Sequence, residues 1–191
     1  IVVTRDGEDG AVRLREADGS WTRVIEFKAR DPASNHADPL YLSPEGQLYV
    51  SAPAHGDKAG IYTYDLKTRK LAAAPVLASK DFDLRPRFVA NDDKLLGIRY
   101  TIDAEVTLWL DARMKAAQAD IDAQLPATAN RVGTARRSTT PYLVVEAFAD
   151  TQPTLHYLYH TETRKLTRLG SARPDIKAEA MGLMDMVRYK A

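Results

Sequence analysis

At 191 residues with 45% apolar content, the chain is long enough to bury a core, and no stretch approaches the roughly 18 apolar residues that a membrane-spanning helix needs. Lys and Arg total 27 against 26 Asp and Glu, so a formal charge of +1 provides no field for gathering nucleic acid or anionic lipid, and neither is an expected partner. The absence of cysteine excludes disulfides, thiolate zinc sites and a cysteine nucleophile, and fits a cytoplasmic and a periplasmic setting equally well.

In chain order, residues 1–4 and 11–15 flank Arg5-Asp6-Gly7-Glu8-Asp9-Gly10, whose two glycines suit a loop with positive φ, and 20–27 return as a further strand. Four strands follow at 37–42, 47–51, 60–65 and 70–78, with Leu, Tyr and Val alternating as in sheets packed face to face. A third set is expected at 87–90, 94–101 and 105–110. There the pattern changes period. Asp111 is placed to cap a helix in which Met114, Ala117, Ile121 and Leu125 recur at helical steps up to Pro126. This insertion, near 111–125, is expected to cover a sheet edge or outer rim. Residues 130–135 could close the third set or open the next, which continues through 142–148, 155–159 and 165–169. Beyond 171 the pattern lapses into a turn at Ala172-Arg173-Pro174-Asp175, a short helical piece within 176–184 and an extended strand at 186–190.

These sets are copies of one another. Tyr157-Leu158-Tyr159-His160-Thr161-Glu162-Thr163-Arg164-Lys165-Leu166 echoes Tyr62 through Leu71, with Tyr64-Asp65-Leu66-Lys67-Thr68-Arg69-Lys70-Leu71 in the matching places. Each copy alternates along a strand, breaks at a Thr-containing turn and returns at Arg-Lys-Leu, which reads as a β-hairpin. Weaker copies stand at 106–111 and 12–16. A second hairpin runs in phase, with Gln47, Lys94 and Pro141 opening evenly spaced strands after turns rich in Pro, Gly, Asn, Asp or Ser. A period of about 45–50 residues holding several short strands is the signature of propeller blades. The fold class is therefore all-β: a β-propeller fragment of about four blades of four-stranded antiparallel sheet. Residues 1–170 form the partial propeller, with blade repeats near 1–30, 31–80, 81–135 and 136–170, and 171–191 an exit segment. Stepping the period back places residue 1 on the second strand of a blade.

The order of several features resembles the propeller domain of bacterial peptidases of the prolyl oligopeptidase family. They are the hairpin 62–71 and its copy 157–166, Trp109-Leu110-Asp111 leading into an Ala-rich helix and Leu125-Pro126, then Asn130-Arg131-Val132, and finally Met186-Val187-Arg188-Tyr189. The similarity spans roughly 40–189. In that family a seven- or eight-bladed propeller sits over an α/β-hydrolase domain that follows it in sequence and carries the Ser, Asp and His of the triad. The resemblance implies an α/β-hydrolase domain in cis, short peptides as substrates, and a gating role for the propeller. No triad residue is carried over, because this sequence contains no Gly-x-Ser-x-Gly elbow. The competing class is a stand-alone propeller that docks a partner protein. Open blade faces in such a fragment also imply self-association.

Candidate site residues are few. Arg85 and Arg87, in Arg85-Pro86-Arg87, enter an innermost strand, from which a guanidinium can reach the central channel or the following domain and hold a substrate carboxylate. Arg136-Arg137 invites the same reasoning with less force. His156 and His160 are four apart, but on a strand that separation is about 13 Å, too far for one metal ion. His36 near Asp38, and His55 beside Gly56-Asp57, lie in loops without a neighbouring nucleophile. No catalytic residue, cofactor or metal is expected within the chain.

Overall fold

The computed structural model describes residues 1–28, 37–55, 57–137, 139–185 and 187. They divide into two compact units, 1–85 and 86–191, each made of two consecutive antiparallel sheets. The all-β, propeller-like repeat is thus present as four sheets of three or four strands with one helix. His36 and most of the expected strand at 186–190 lie outside the described residues.

In the first unit, β1 (Val2–Asp6), β2 (Asp9–Arg15) and β3 (Trp21–Lys28) form one sheet in that order. The second sheet orders β4 (Asp38–Leu42), β5 (Leu48–His55), β6 (Lys58–Asp65) and β7 (Lys70–Leu71). The β4–β5 reversal follows from Ser43-Pro44-Glu45-Gly46: Gly46 sits at φ 84, where a Cβ would be strained, and its N–H donates to the Ser43 carbonyl at 2.9 Å. Val12 and Ile25 of the first sheet pack with Leu48, Val50 and Tyr62 of the second in one apolar core. One buried polar bond crosses it, from the Tyr64 hydroxyl to the Val24 carbonyl at 2.9 Å.

The outer strand expected at 70–78 is shorter than its pattern suggests. Regular pairing ends at Leu71, the chain bends at residues 73–74, and Pro75, with no N–H to give to a ladder, lies in the stretch that stands out of register. The chain returns only as a bridge, with the Ile61 N–H donating to the Leu77 carbonyl at 2.7 Å.

In the second unit, β8 (Arg87–Ala90), β9 (Leu95–Thr101) and β10 (Glu105–Trp109) form a three-stranded sheet ordered β10-β9-β8. Helix α1 (Ala112–Gln124) follows where a fourth strand would stand. Asp111 caps it as expected, Oδ1 accepting from the N–H groups of Arg113 and Met114 at 2.9 and 3.0 Å, and Met114, Ala117 and Ile121 are its buried positions. They pack with Leu96, Trp109, Val132, Val145 and Tyr159. Gly97 makes this possible: a Cβ there would stand 2.8 Å from both the Leu108 carbonyl oxygen and the Trp109 ring.

The last sheet runs β11 (Ala129–Gly133), β12 (Tyr142–Ala149), β13 (Gln152–His160) and β14 (Lys165–Ser171). Pairing of Val132 with Val145 assigns the segment at 130–135 to the fourth sheet, so the boundary expected at 135 falls before β11. The helical piece expected within 176–184 is a single 3₁₀ turn at Ala178–Ala180 without a buried residue, and with no packing there is nothing to offset the cost of nucleating a helix.

Candidate functional site

The strand register of the second unit gathers five charged side chains that are scattered in sequence. Arg87 opens β8 and stands opposite Arg99 of β9, which in turn stands opposite Thr107 of β10. Glu105 opens β10 two residues before Thr107, on the same side of its strand. Arg131 of β11 stands opposite Glu146 of β12. Arg131 joins the two sheets. Its Nε and Nη2 donate to the two oxygens of Glu105 at 2.6 and 2.9 Å, and its Nη1 donates to Glu146 Oε2 at 2.9 Å. The same guanidinium lies 5.3 Å over the Phe148 ring, a stacking arrangement suited to the planar Arg group.

Arg99 is largely buried, with 14% of its side chain exposed. Its Nε donates to Thr107 Oγ1 at 3.1 Å and its Nη2 to the Val132 carbonyl at 2.9 Å, so it too spans the two sheets. Burial pushes its pKa down from the ordinary arginine value, partly countered by the Glu105 charge. Glu105 moves the other way from what burial dictates. Desolvation alone would raise it, but the Arg131 hydrogen bonds and the charges of Arg131, Arg99 and Arg87 hold its carboxyl below the usual range. Three guanidiniums thus face two carboxylates. Arg87 is exposed, and among the described residues no carboxylate forms an ion pair with it, both glutamates being engaged by Arg131.

A polar pocket of about 280 Å³ opens beside Arg131 and Glu105, lined also by Gln118, Asp122, Asn130 and Phe148. Its groups are already bonded to one another. Trp109 Nε1 donates to Gln118 Oε1 at 3.1 Å, Gln118 Nε2 to the Asn130 carbonyl at 2.9 Å, and Asn130 Nδ2 to Asp122 Oδ1 at 2.9 Å. A wider basin of about 1330 Å³ lies around the β8–β9 turn and the start of α1, with Leu96, Met114, Leu143 and Tyr159 among its lining residues.

The sequence-predicted residues separate here. Arg87 joins the charged cluster; Arg85 is an exposed loop residue of the first unit without an ion pair among the described residues. Arg136 and Arg137 both hold Asp92 of the β8–β9 turn, Arg136 Nε at 2.9 Å, and these two bonds keep the Asp92 carboxyl below its ordinary value. They serve an internal carboxylate. His156 and His160 lie on β13, where His160 Nδ1 accepts from the N–H groups of Glu162 and Thr163 at 3.3 Å, a turn-capping role. His55 ends β5, and its neighbour Asp57 is taken by Lys58 Nζ at 3.2 Å. Among the described residues no group of three His, Cys, Asp or Glu is placed to hold a metal. The Glu105–Arg131 fork was not anticipated, because its partners stand on different sheets and share no local pattern.

No family model matches the chain, and no curated protein matches it. Among solved structures it is similar to the crystal structure of TolB from Acinetobacter baumannii, at 15% identity and a TM-score of 0.40, over 88% of this chain and 40% of that one. The chain therefore spans less than half the length of that structure.

Proposed function

We propose that this chain is the propeller portion of a prolyl-oligopeptidase-type serine peptidase, and that its role is to restrict access of substrates to a hydrolase domain rather than to perform acyl transfer. One observation supports the reading above the others. The motif residues that carry the resemblance are those that fasten α1 between two sheets: Trp109 binds Gln118, Asp111 caps the helix, and Asn130 donates to the Leu125 carbonyl at 3.1 Å. The shared motif is thus an architectural one, which suits a gating domain whose reacting groups stand elsewhere. In a propeller the innermost strands border a central channel, and on this reading β8 and β11 are such strands, so that short unstructured peptides pass and folded proteins do not.

The test is to treat the intact parent protein with a fluorophosphonate probe, which reacts with activated serines. A single labelled serine outside residues 1–191, together with cleavage of short peptides and no cleavage of a folded protein containing the same sequence, is the expected result. Absence of labelling overturns the reading in favour of a stand-alone propeller that docks a partner protein.

A further inference from the structure

We infer that Arg87 is a recognition point for a carboxylate carried by a peptide, so that the substrate class is peptides with a carboxylate near the end that reaches this sheet edge. The inference rests on the peptidase reading above and adds to it which substrates are favoured. The argument begins with charge. Arg87, Arg99 and Arg131 outnumber Glu105 and Glu146, leaving one positive charge in the cluster. Each of the other two guanidiniums has a carboxylate partner: Arg131 binds both glutamates, and Arg99, held by Thr107 and the Val132 carbonyl, lies 3.7 Å from Glu105. Arg87, the exposed one, is the guanidinium of the cluster without an ion pair among the described residues.

Position adds a second line. β8 is the edge strand of its sheet, and Arg87 is at the end of β8 away from the β8–β9 turn, opposite Arg99 near the β9–β10 turn. In the last sheet the corresponding end is marked by the β12–β13 turn, where Asp150 Oδ2 accepts from the Met184 N–H at 2.9 Å and from which the chain leaves β14. Arg131 and Glu105 tie these parts of the two sheets together. An incoming carboxylate at Arg87 meets a guanidinium fork on the strand opposite Arg99, and Glu105, whose carboxyl feels the Arg87 charge, is already held by a bidentate partner. A neutral or cationic peptide end gains nothing there, since its approach replaces water around Arg87 without supplying a counter-charge.

The experiment uses the intact parent protein and its Arg87→Ala and Arg87→Lys variants, with one peptide in three forms: free C-terminal acid, C-terminal amide, and amide with a penultimate Glu. The expected result is that Arg87→Ala lowers kcat/KM about tenfold for carboxylate-bearing forms and leaves the plain amide within twofold, with Arg87→Lys intermediate because it keeps charge but not the fork. The acid and Glu-amide arms separate a terminal from a side-chain carboxylate. Equal losses on all three forms, or no loss on any, overturn the inference. If the fluorophosphonate test fails, the same three peptides are compared by fluorescence anisotropy. A preference for the carboxylate forms that Arg87→Ala removes then sustains the recognition role without peptidase chemistry, and no preference in the wild-type protein rejects it.

Discussion

The hairpin that pairs β6 with β7 and the one that pairs β13 with β14 are near copies in sequence, and they differ in the length of the return strand and in what lies over them. Around the turn their backbones match in register. Tyr64 pairs with Leu71 as Tyr159 pairs with Leu166, and Arg69 and Arg164 occupy the left-handed region at φ 55 and 59. Even the turn cap is shared across a change of residue type: Asp65 Oδ1 accepts from the N–H groups of Lys67 and Thr68 at 2.8 and 3.0 Å, and His160 Nδ1 does the same for Glu162 and Thr163. The tyrosine hydroxyls then part company. Tyr64 donates to a backbone carbonyl of β3; Tyr159 donates to the Asp120 carboxylate on α1 at 2.7 Å. Local sequence thus sets the hairpin, and whichever element packs above it sets the chemistry of its tyrosine.

The sharpest way to break the pairing is Asp120→Ala. It removes the acceptor of a tyrosine that is 2% exposed and the partner of Arg164, and it is expected to cost about 2–4 kcal/mol because a buried hydroxyl loses its charged acceptor. Denaturant titration followed by Trp109 fluorescence in a Trp21→Phe background reads the second unit; a loss under about 0.5 kcal/mol would show that α1 is held by its apolar stripe alone.

Next in size, and more discriminating, is the pair Tyr159→Phe and Tyr64→Phe. The first loses a hydrogen bond to a charged acceptor, about 1.5–3 kcal/mol, and the second a neutral one, about 0.5–1.5 kcal/mol. Their pH dependences differ in kind. The Tyr159 hydroxyl, followed by the Arg164 guanidinium, holds the Asp120 carboxyl below its ordinary value. A carboxylate with a depressed folded pKa stabilises above its unfolded value of about 3.9 and loses that contribution as pH falls through the folded one. The Tyr159→Phe penalty is therefore full at neutral pH and shrinks in acid, whereas the Tyr64→Phe penalty, with an uncharged acceptor, stays level. Parallel curves for the two variants between pH 7 and pH 3 would refute the distinction.

The smallest effect compares the two left-handed arginines. Arg69→Gly relieves a positive φ at a residue with no ion pair among the described residues, so it is expected to stabilise by about 0.5 kcal/mol. Arg164→Gly relieves the same strain but gives up the Asp120 pair, so its net change is expected near zero. Thermal unfolding of both variants checks the difference.

The repeat made most of the fold legible. Alternation, turn residues and the Asp111 cap located the strands and α1 within a few residues, because each depends on neighbours in sequence. The exceptions depend on more than local pattern: the outer strand leaves its ladder at the bend after Leu71, and the turn at Ala178–Ala180 has no buried residue to sustain a longer helix. The site was legible in part. Arg87 stood out as a cation at the start of a strand, but nothing local shows that Glu105 is taken by Arg131 and Arg99, which leaves Arg87 without an ion pair among the described residues. Arg136 and Arg137, the weaker candidates, are both taken by Asp92, a partner far away in sequence.

Helix α1 stands where a strand would be, and a helix cannot continue a ladder through its backbone, so its lateral ties are side chains. Two of them are ionic: Lys94 Nζ to Oδ2 of the cap residue Asp111 at 2.5 Å, and Arg164 to Asp120. In amide hydrogen exchange this makes α1 a separate cooperative unit, expected to open without opening the sheets. Added salt, by screening those pairs, is expected to hasten exchange of the α1 amides while the ladder amides of β12 and β13 keep their rates.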